Sequence, residues 1–270
     1  MSHAASAAGP SATSPSAPAL PLAQGRILGI ASGKGGVGKT WLAVTLAQAA
    51  AGARAGRRVL LFDGDLGLAN VDVQLGLTPG HDISDVLSGR LALAEAVQRH
   101  PASGLDILPG RSGSGSLAAL DAARLARVEQ ILQEAAGLWD LVVLDLGAGL
   151  DAVTRRLAAA AHTLLVVATE EPTSLTDAYA VLKLHARDRP GGDSRIVVNM
   201  APDMITARRT YETLHRAAQN FLGRDVPLAG VVRRDPRVRD AIRHQTPLLT
   251  RHPNSPAAED VQALLGGLGL

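Results

Sequence analysis

The residues Gly33-Lys34-Gly35-Gly36-Val37-Gly38-Lys39-Thr40 fit the phosphate-cradling spacing G-x-x-x-x-G-K-[ST]. Glycines there let main-chain N–H groups turn inward around an anion. Lys39 is placed to reach β- and γ-phosphates, and the Thr40 hydroxyl is a hard oxygen ligand suited to Mg²⁺. An apolar run over 27–31 precedes the loop and a helical pattern over 41–51 follows it. The loop therefore opens a helix, whose positive N-terminal end adds to the attraction for phosphate. The basic residues sharpen this reading. Of 27 Lys and Arg, only Lys34, Lys39 and Lys183 are lysines. Two of these three lie in the loop, where a compact ammonium fits and a guanidinium fork does not.

Carboxylates close two later apolar runs. The run 59–62 ends in Asp63-Gly64-Asp65, followed by Leu66-Gly67-Leu68-Ala69-Asn70-Val71-Asp72. Acids at i and i+2 project to the same side of an extended chain, which suits one held near Mg²⁺ and one near a γ-phosphate. The run 141–144 ends in Asp145, an apolar strand closed by an acid that would hold a Mg²⁺ water. Gly147-Ala148-Gly149 behind it would form a second switch, and a later run, 196–198, ends in Asn199.

These residues need a scaffold that brings strand ends together. Apolar runs at 27–31, 59–62, 105–108, 141–144, 164–168, 196–198 and 228–232 are unbroken rather than alternating, as in parallel strands covered on both faces. Helical patterns lie between them. Over 120–136, Leu125, Val128, Ile131, Leu132 and Ala135 recur at helical spacing, and Thr173 and Ser174 before Asp177 resemble a capping box opening a helix through residue 184. The expected fold is α/β: a doubly wound, mostly parallel sheet of about seven strands with helices on both faces. In such sheets ligands sit outside the carboxyl ends of the strands.

Composition narrows the alternatives. With 46% hydrophobic residues and 2% aromatic, the core must be built from Ala, Val, Leu and Ile. The absence of cysteine removes disulfides, thiolate metal sites, Cys-ligated clusters and Cys nucleophiles. A net charge of +2 is too small to imply nucleic-acid binding by itself. Residues 1–25 are rich in Ala, Ser and Pro, with no secretory h-region. They are expected to form a disordered tail before a single P-loop domain over 26–270, and a cytoplasmic location is expected with it.

Lys34 is not required by the basic phosphate motif. With it, the loop reads K-G-G-x-G-K-[ST], and the chain resembles the MinD/ParA family of P-loop ATPases over roughly residues 26–265. The resemblance implies a slow, switch-type ATPase that uses ATP and Mg²⁺ and dimerises with ATP, the first lysine, Lys34, reaching across to the partner's nucleotide. It assigns Asp65 to orienting or activating the attacking water. Mg²⁺ falls to Thr40, Asp63 and Asp145, and the nucleotide to the loop residues, Trp41 and Asn199, the last reading adenine. Asn199-Met200-Ala201-Pro202 is not the guanine signature N-K-x-D, which favours ATP over GTP.

Within the family, the segment 65–72, Ile107-Leu108-Pro109-Gly110-Arg111-Ser112-Gly113 and Glu171-Pro172-Thr173-Ser174-Leu175-Thr176-Asp177-Ala178-Tyr179 resemble the flagellar-number regulators of the FlhG/FleN group. This implies a flagellar regulatory partner, a GTPase or a transcription activator, and recruitment to the cell pole or inner membrane face. The chain departs from the group at Trp41 and Leu146, and residues 257–270 lack the basic face of a membrane-binding helix. Weak or no direct membrane binding is therefore expected. A ParA-type partition ATPase acting on DNA is the alternative, because Arg233, Arg234, Arg237, Arg239 and Arg243 crowd one stretch.

Overall fold

Eight strands form one sheet in the order β3-β4-β2-β5-β1-β6-β7-β8 in the computed structural model, which describes residues 25–110 and 121–270. The strands are β1 (Arg26–Ser32), β2 (Val59–Gly64), β3 (Gln98–Arg99), β4 (Asp106–Leu108), β5 (Leu141–Ala148), β6 (Thr163–Ala168), β7 (Asp193–Ala201) and β8 (Leu228–Arg233). The first half of the helices comprises α1 (Lys39–Ala53), α2 (Val71–Leu75), α3 (Ile83–Leu87), α4 (Leu93–Ala96) and α5 (Ala122–Leu138). The second half comprises α6 (Ala152–Ala160), α7 (Pro172–Asp188), α8 (Met204–Leu222), α9 (Pro236–Arg243), α10 (Leu248–Arg251) and α11 (Pro256–Gly267). The segment expected as a tail, apart from Gly25, and the expected subgroup residues 111–113 lie outside the described residues.

All seven expected strands are present and pair in parallel. The eighth, β3, is antiparallel to β4 and only two residues long, with no apolar pattern to announce it. It pairs because β4 would otherwise end the sheet with its main chain unpaired.

The unbroken apolar runs divide by parity between two cores. Along β2, Leu60 and Phe62 join one cluster while Val59 and Leu61 join the other; along β5, Val142 and Leu144 separate in the same way from Leu141 and Val143. Helices α5, α6, α7 and α8 contribute to the first core, and α1 and α11 to the second. The same parity carries Asp63 and Asp145 to the α1 side, where they face each other in register.

One local expectation is corrected. Thr173 and Ser174 form no capping box: the N-cap of α7 is Glu171, two residues before Thr173, with Pro172 in the first turn. Proline has no N–H to satisfy, so it suits that position. Ser174 Oγ instead accepts the Thr169 N–H at 3.0 Å, and Thr173 Oγ1 accepts from Lys34.

The C-terminal helix α11 is part of the core. Ala257, Ala258, Val261, Leu264 and Leu265 are buried, and Gly230 of β8 leaves room for Leu264 where a Cβ would stand 3.1 Å from its side chain. Leu264→Ala is expected to lower unfolding free energy by about 2–5 kcal/mol, as for a deleted core side chain. Urea denaturation followed by circular dichroism measures it, and a loss below about 1 kcal/mol would place α11 outside the cooperative unit.

Candidate functional site

The loop between β1 and α1 is shaped by two close approaches. Gly33 lies against the Asp177 backbone of α7, where a Cβ would collide. Gly38, the N-cap of α1, has φ 85°, and a Cβ there would meet Asn199 Nδ2 at 2.5 Å. Gly38 makes no side-chain cap, so the first-turn N–H groups of α1, at Lys39, Thr40 and Trp41, stay available to an anion. Asn199, at the carboxyl end of β7, donates its amide to the Val37 carbonyl at 2.7 Å. That amide braces the loop, a role its position after a strand did not reveal.

At the base of the loop, Lys39 Nζ donates to Asp145 Oδ1 at 2.8 Å, with both side chains buried. Asp145 Oδ2 is buried without a partner among the described residues. Burial raises the Asp145 pKa, against the opposing pull of the Lys39 charge and its hydrogen bond. Asp63 faces Asp145 across the β2–β5 pairing. It accepts N–H bonds from Asp65, Asn70 and Val71, yet burial first, and the Asp145 charge second, push its pKa up to about 7. These three hydrogen bonds fold the segment after β2 around the Asp63 carboxylate.

Asp65 is half-buried, and its Oδ1 accepts the Leu68 N–H at 3.0 Å. A Cβ at Gly147 would lie 3.5 Å from that oxygen, so the segment after β2 rests against the end of β5. Lys34 Nζ is held by Glu171 Oε2 at 2.6 Å and Thr173 Oγ1 at 2.9 Å. The Lys34 hydrogen bond and charge hold the Glu171 carboxyl below the usual range. Glu171 and Thr173 thus join the site without any signal at their sequence distance from the loop. The Trp41 side chain is 5% exposed within the α1-side core, and its indole N–H is buried with no partner among the described residues. Its main-chain N–H lies in the first turn of α1.

The five arginines of the 233–243 stretch divide. Arg233 pairs with Asp260 and Glu259, and Arg234 with Glu170. Arg237, Arg239 and Arg243 have no ion pair among the described residues. Asp235 caps α9 through the Arg237 N–H and also accepts the Ala257 N–H.

The Asp63 proton makes stability pH-dependent. Its folded pKa of about 7 exceeds the ordinary 3.8, so its stabilising contribution is complete below about pH 4 and lost as pH rises through about 7. Urea midpoints of the nucleotide-free chain between about pH 5 and 8 should fall more steeply for wild type than for Asp63→Asn. Parallel profiles would refute the assignment.

The profile of the "CobQ/CobB/MinD/ParA nucleotide binding domain" matches residues 28–248. The chain is 39% identical to "Antiactivator FleN" of Pseudomonas aeruginosa over 234 residues, 86% of this chain and 82% of that protein. It is 30% identical to "Flagellum site-determining protein YlxH" of Helicobacter pylori over 245 residues, 89% of this chain and 81% of that one. Among solved structures, the septum site-determining protein MinD of Pyrococcus horikoshii complexed with Mg-ADP superposes with a TM-score of 0.71 and 25% identity, covering 90% of this chain and 95% of that one. With the loop, the two strand-end carboxylates and the parallel sheet already in place, these matches show that the chain belongs to the CobQ/CobB/MinD/ParA family of nucleotide-binding domains.

Proposed function

We propose that this family ATPase is an ATP-gated dimeric switch that regulates flagellar number or placement. The observation that carries the switch reading is the pair of buried carboxylates beside Lys39, with Asp145 Oδ2 left without a partner. That orphaned oxygen, the Thr40 hydroxyl and the open first turn of α1 fit Mg²⁺ and nucleotide phosphates. Among the described residues no cluster of three or more His, Cys, Asp or Glu side chains could hold a metal, as expected where phosphate and water complete the Mg²⁺ shell. When bound, Mg²⁺ neutralises charge between the β- and γ-phosphates. Thr40 would contact it directly, and Asp145 and Asp63 through water.

The chain's own residues then do the rest. Lys39 would exchange Asp145 for the β- and γ-phosphates. The N–H groups from Gly33 to Trp41 would bind the phosphate oxygens, and Asn199, beside Val37, would read adenine. Asp65 would release the Leu68 N–H and orient the attacking water. Lys34 would leave Glu171 and Thr173 to reach the nucleotide of a second copy. A site with these parts and no further catalytic groups suits a slow switch rather than turnover of a second substrate.

The flagellar reading rests on the two flagellum-related relatives and the three resembling segments. The name antiactivator makes a transcription activator the first partner to seek, with a GTPase next. The apolar side of α11 is turned into the core, and among the described residues no helix is long and apolar enough to cross a membrane. The buried apolar side of α11 supports weak or no direct membrane binding through that helix, and recruitment would then fall to a partner. Three arginines without ion pairs, Arg237, Arg239 and Arg243, keep a DNA-partition role as the second reading.

Light scattering with ATP tests the switch. Asp65→Ala should bind ATP, hydrolyse it at least tenfold more slowly and accumulate as dimer, whereas Lys39→Ala should lose tight nucleotide binding. An Asp65→Ala chain that binds ATP yet stays monomeric would sink the dimer. The biological reading is tested in a deletion strain by electron microscopy, with chromosome segregation scored in parallel. Changed flagellar number or position is expected; normal flagella with anucleate cells would move the chain to the partition role.

A further inference from the structure

A cleft of about 800 Å³ lies between the last turns of α1, the start of β2, the β3–β4 edge, α10 and α11. Helix α1 has 15 residues, roughly 22 Å at a rise of about 1.5 Å per residue, and its other end carries the phosphate loop. The cleft is therefore separate from the nucleotide site. Its volume is in the range of small-molecule sites.

The lining of the cleft mixes apolar and basic side chains. Leu249, Leu265, Leu270 and alanines of α1 line it, as do Arg57, Arg58 and Arg99, and among the described residues no Asp or Glu does. Arg99 shares its guanidinium with Asp106 at 2.8 Å. The guanidinium groups of Arg57 and Arg58 have no hydrogen bond or ion pair among the described residues. Arg57 is half-buried, and the loss of water around it, with Arg54 and Arg26 nearby, pulls its pKa down against the raising effect of Asp140. A half-buried cation with no bonded counter-ion calls for an anion. Residues 1–24 and 111–120 contain no Asp or Glu, so neither segment has a carboxylate side chain to supply.

The cleft also presents acceptors. Gln48 lines it, and Gln48 Oε1 is buried without a donor while its Nε2 donates to Thr250 Oγ1 at 2.8 Å. The last carbonyls of α1 have no intrahelical donor. Guanidinium forks match phosphate oxygens in pairs. Apolar side chains suit a ring, and the acceptors suit ring N–H groups.

We propose that this cleft binds a phosphorylated small molecule of mononucleotide size, with its phosphate on Arg57 and Arg58, its ring against Leu249 and Leu265, and a ring donor on Gln48 Oε1. The proposal stands independently of the hydrolytic switch, since no residue of the phosphate loop takes part.

Isothermal titration calorimetry on the full chain tests it. The chain is first saturated with Mg-ADP to fill the phosphate loop, then titrated with AMP, GMP, inorganic phosphate and an oligo-aspartate peptide. One mononucleotide should bind at one equivalent, at least tenfold tighter than inorganic phosphate. The double variant Arg57→Gln/Arg58→Gln should weaken that binding at least tenfold while melting temperature and Mg-ADP affinity stay unchanged. Gln48→Leu should weaken the mononucleotide and leave the weaker phosphate binding as it was. The proposal is overturned if neither mononucleotide binds, if inorganic phosphate binds as tightly, if the arginine variant binds normally, or if the acidic peptide is the only ligand.

Discussion

Asp63 and Asp145 lie opposite each other in paired parallel strands, both shut off from water, where two like charges repel strongly and each has lost its hydration. The surrounding architecture answers that constraint. Lys39 is inserted against Asp145, which fixes the first turn of α1 over the ends of β2 and β5. The chain after β2 curls back so that three of its N–H groups point at Asp63. Even so, Asp145 keeps one oxygen unpartnered. A divalent cation would supply positive charge to the carboxylates, and a phosphate chain would take Lys39 in exchange.

The phosphate loop is held from several sides. Gly33 presses on Asp177 of α7, Val37 is held by Asn199 near the end of β7, and Lys34 is held by Glu171 and Thr173 at the start of α7. A loop tied to both β7 and α7 shares any displacement with both. The Lys34–Glu171 pair is substantially exposed, with side-chain exposures of 37% and 62%, and water screens such a pair. Exchange of Glu171 for another anion thus meets a small barrier compared with breaking the buried Lys39–Asp145 contact.

The C-terminal region is tied to the same scaffold. Asp235 caps α9 and also receives the first-turn N–H of Ala257 in α11, and Arg233 at the end of β8 grips Asp260 of α11. Helix α1 packs against both α10 and α11. One helix thus connects the phosphate loop, at its N-terminal end, with the arginine-lined cleft at its other end.

The sequence alone determined the loop, the seven main strands and the acids that close two of them, because each is a local pattern. Glycine spacing, unbroken apolar runs and strand-end carboxylates follow from backbone geometry and burial at single elements. The family resemblance added roles that local patterns do not contain. Only the tertiary structure decided which groups meet. Lys34 and Glu171 stand 137 residues apart, and Asn199 is 162 residues from Val37, so the sheet order had to bring them together. The short strand β3 escaped because it depends on the open edge of β4 rather than on its own residues. The fold likewise decided where the Trp41 side chain goes, burying the indole of this α1 residue in the apolar core.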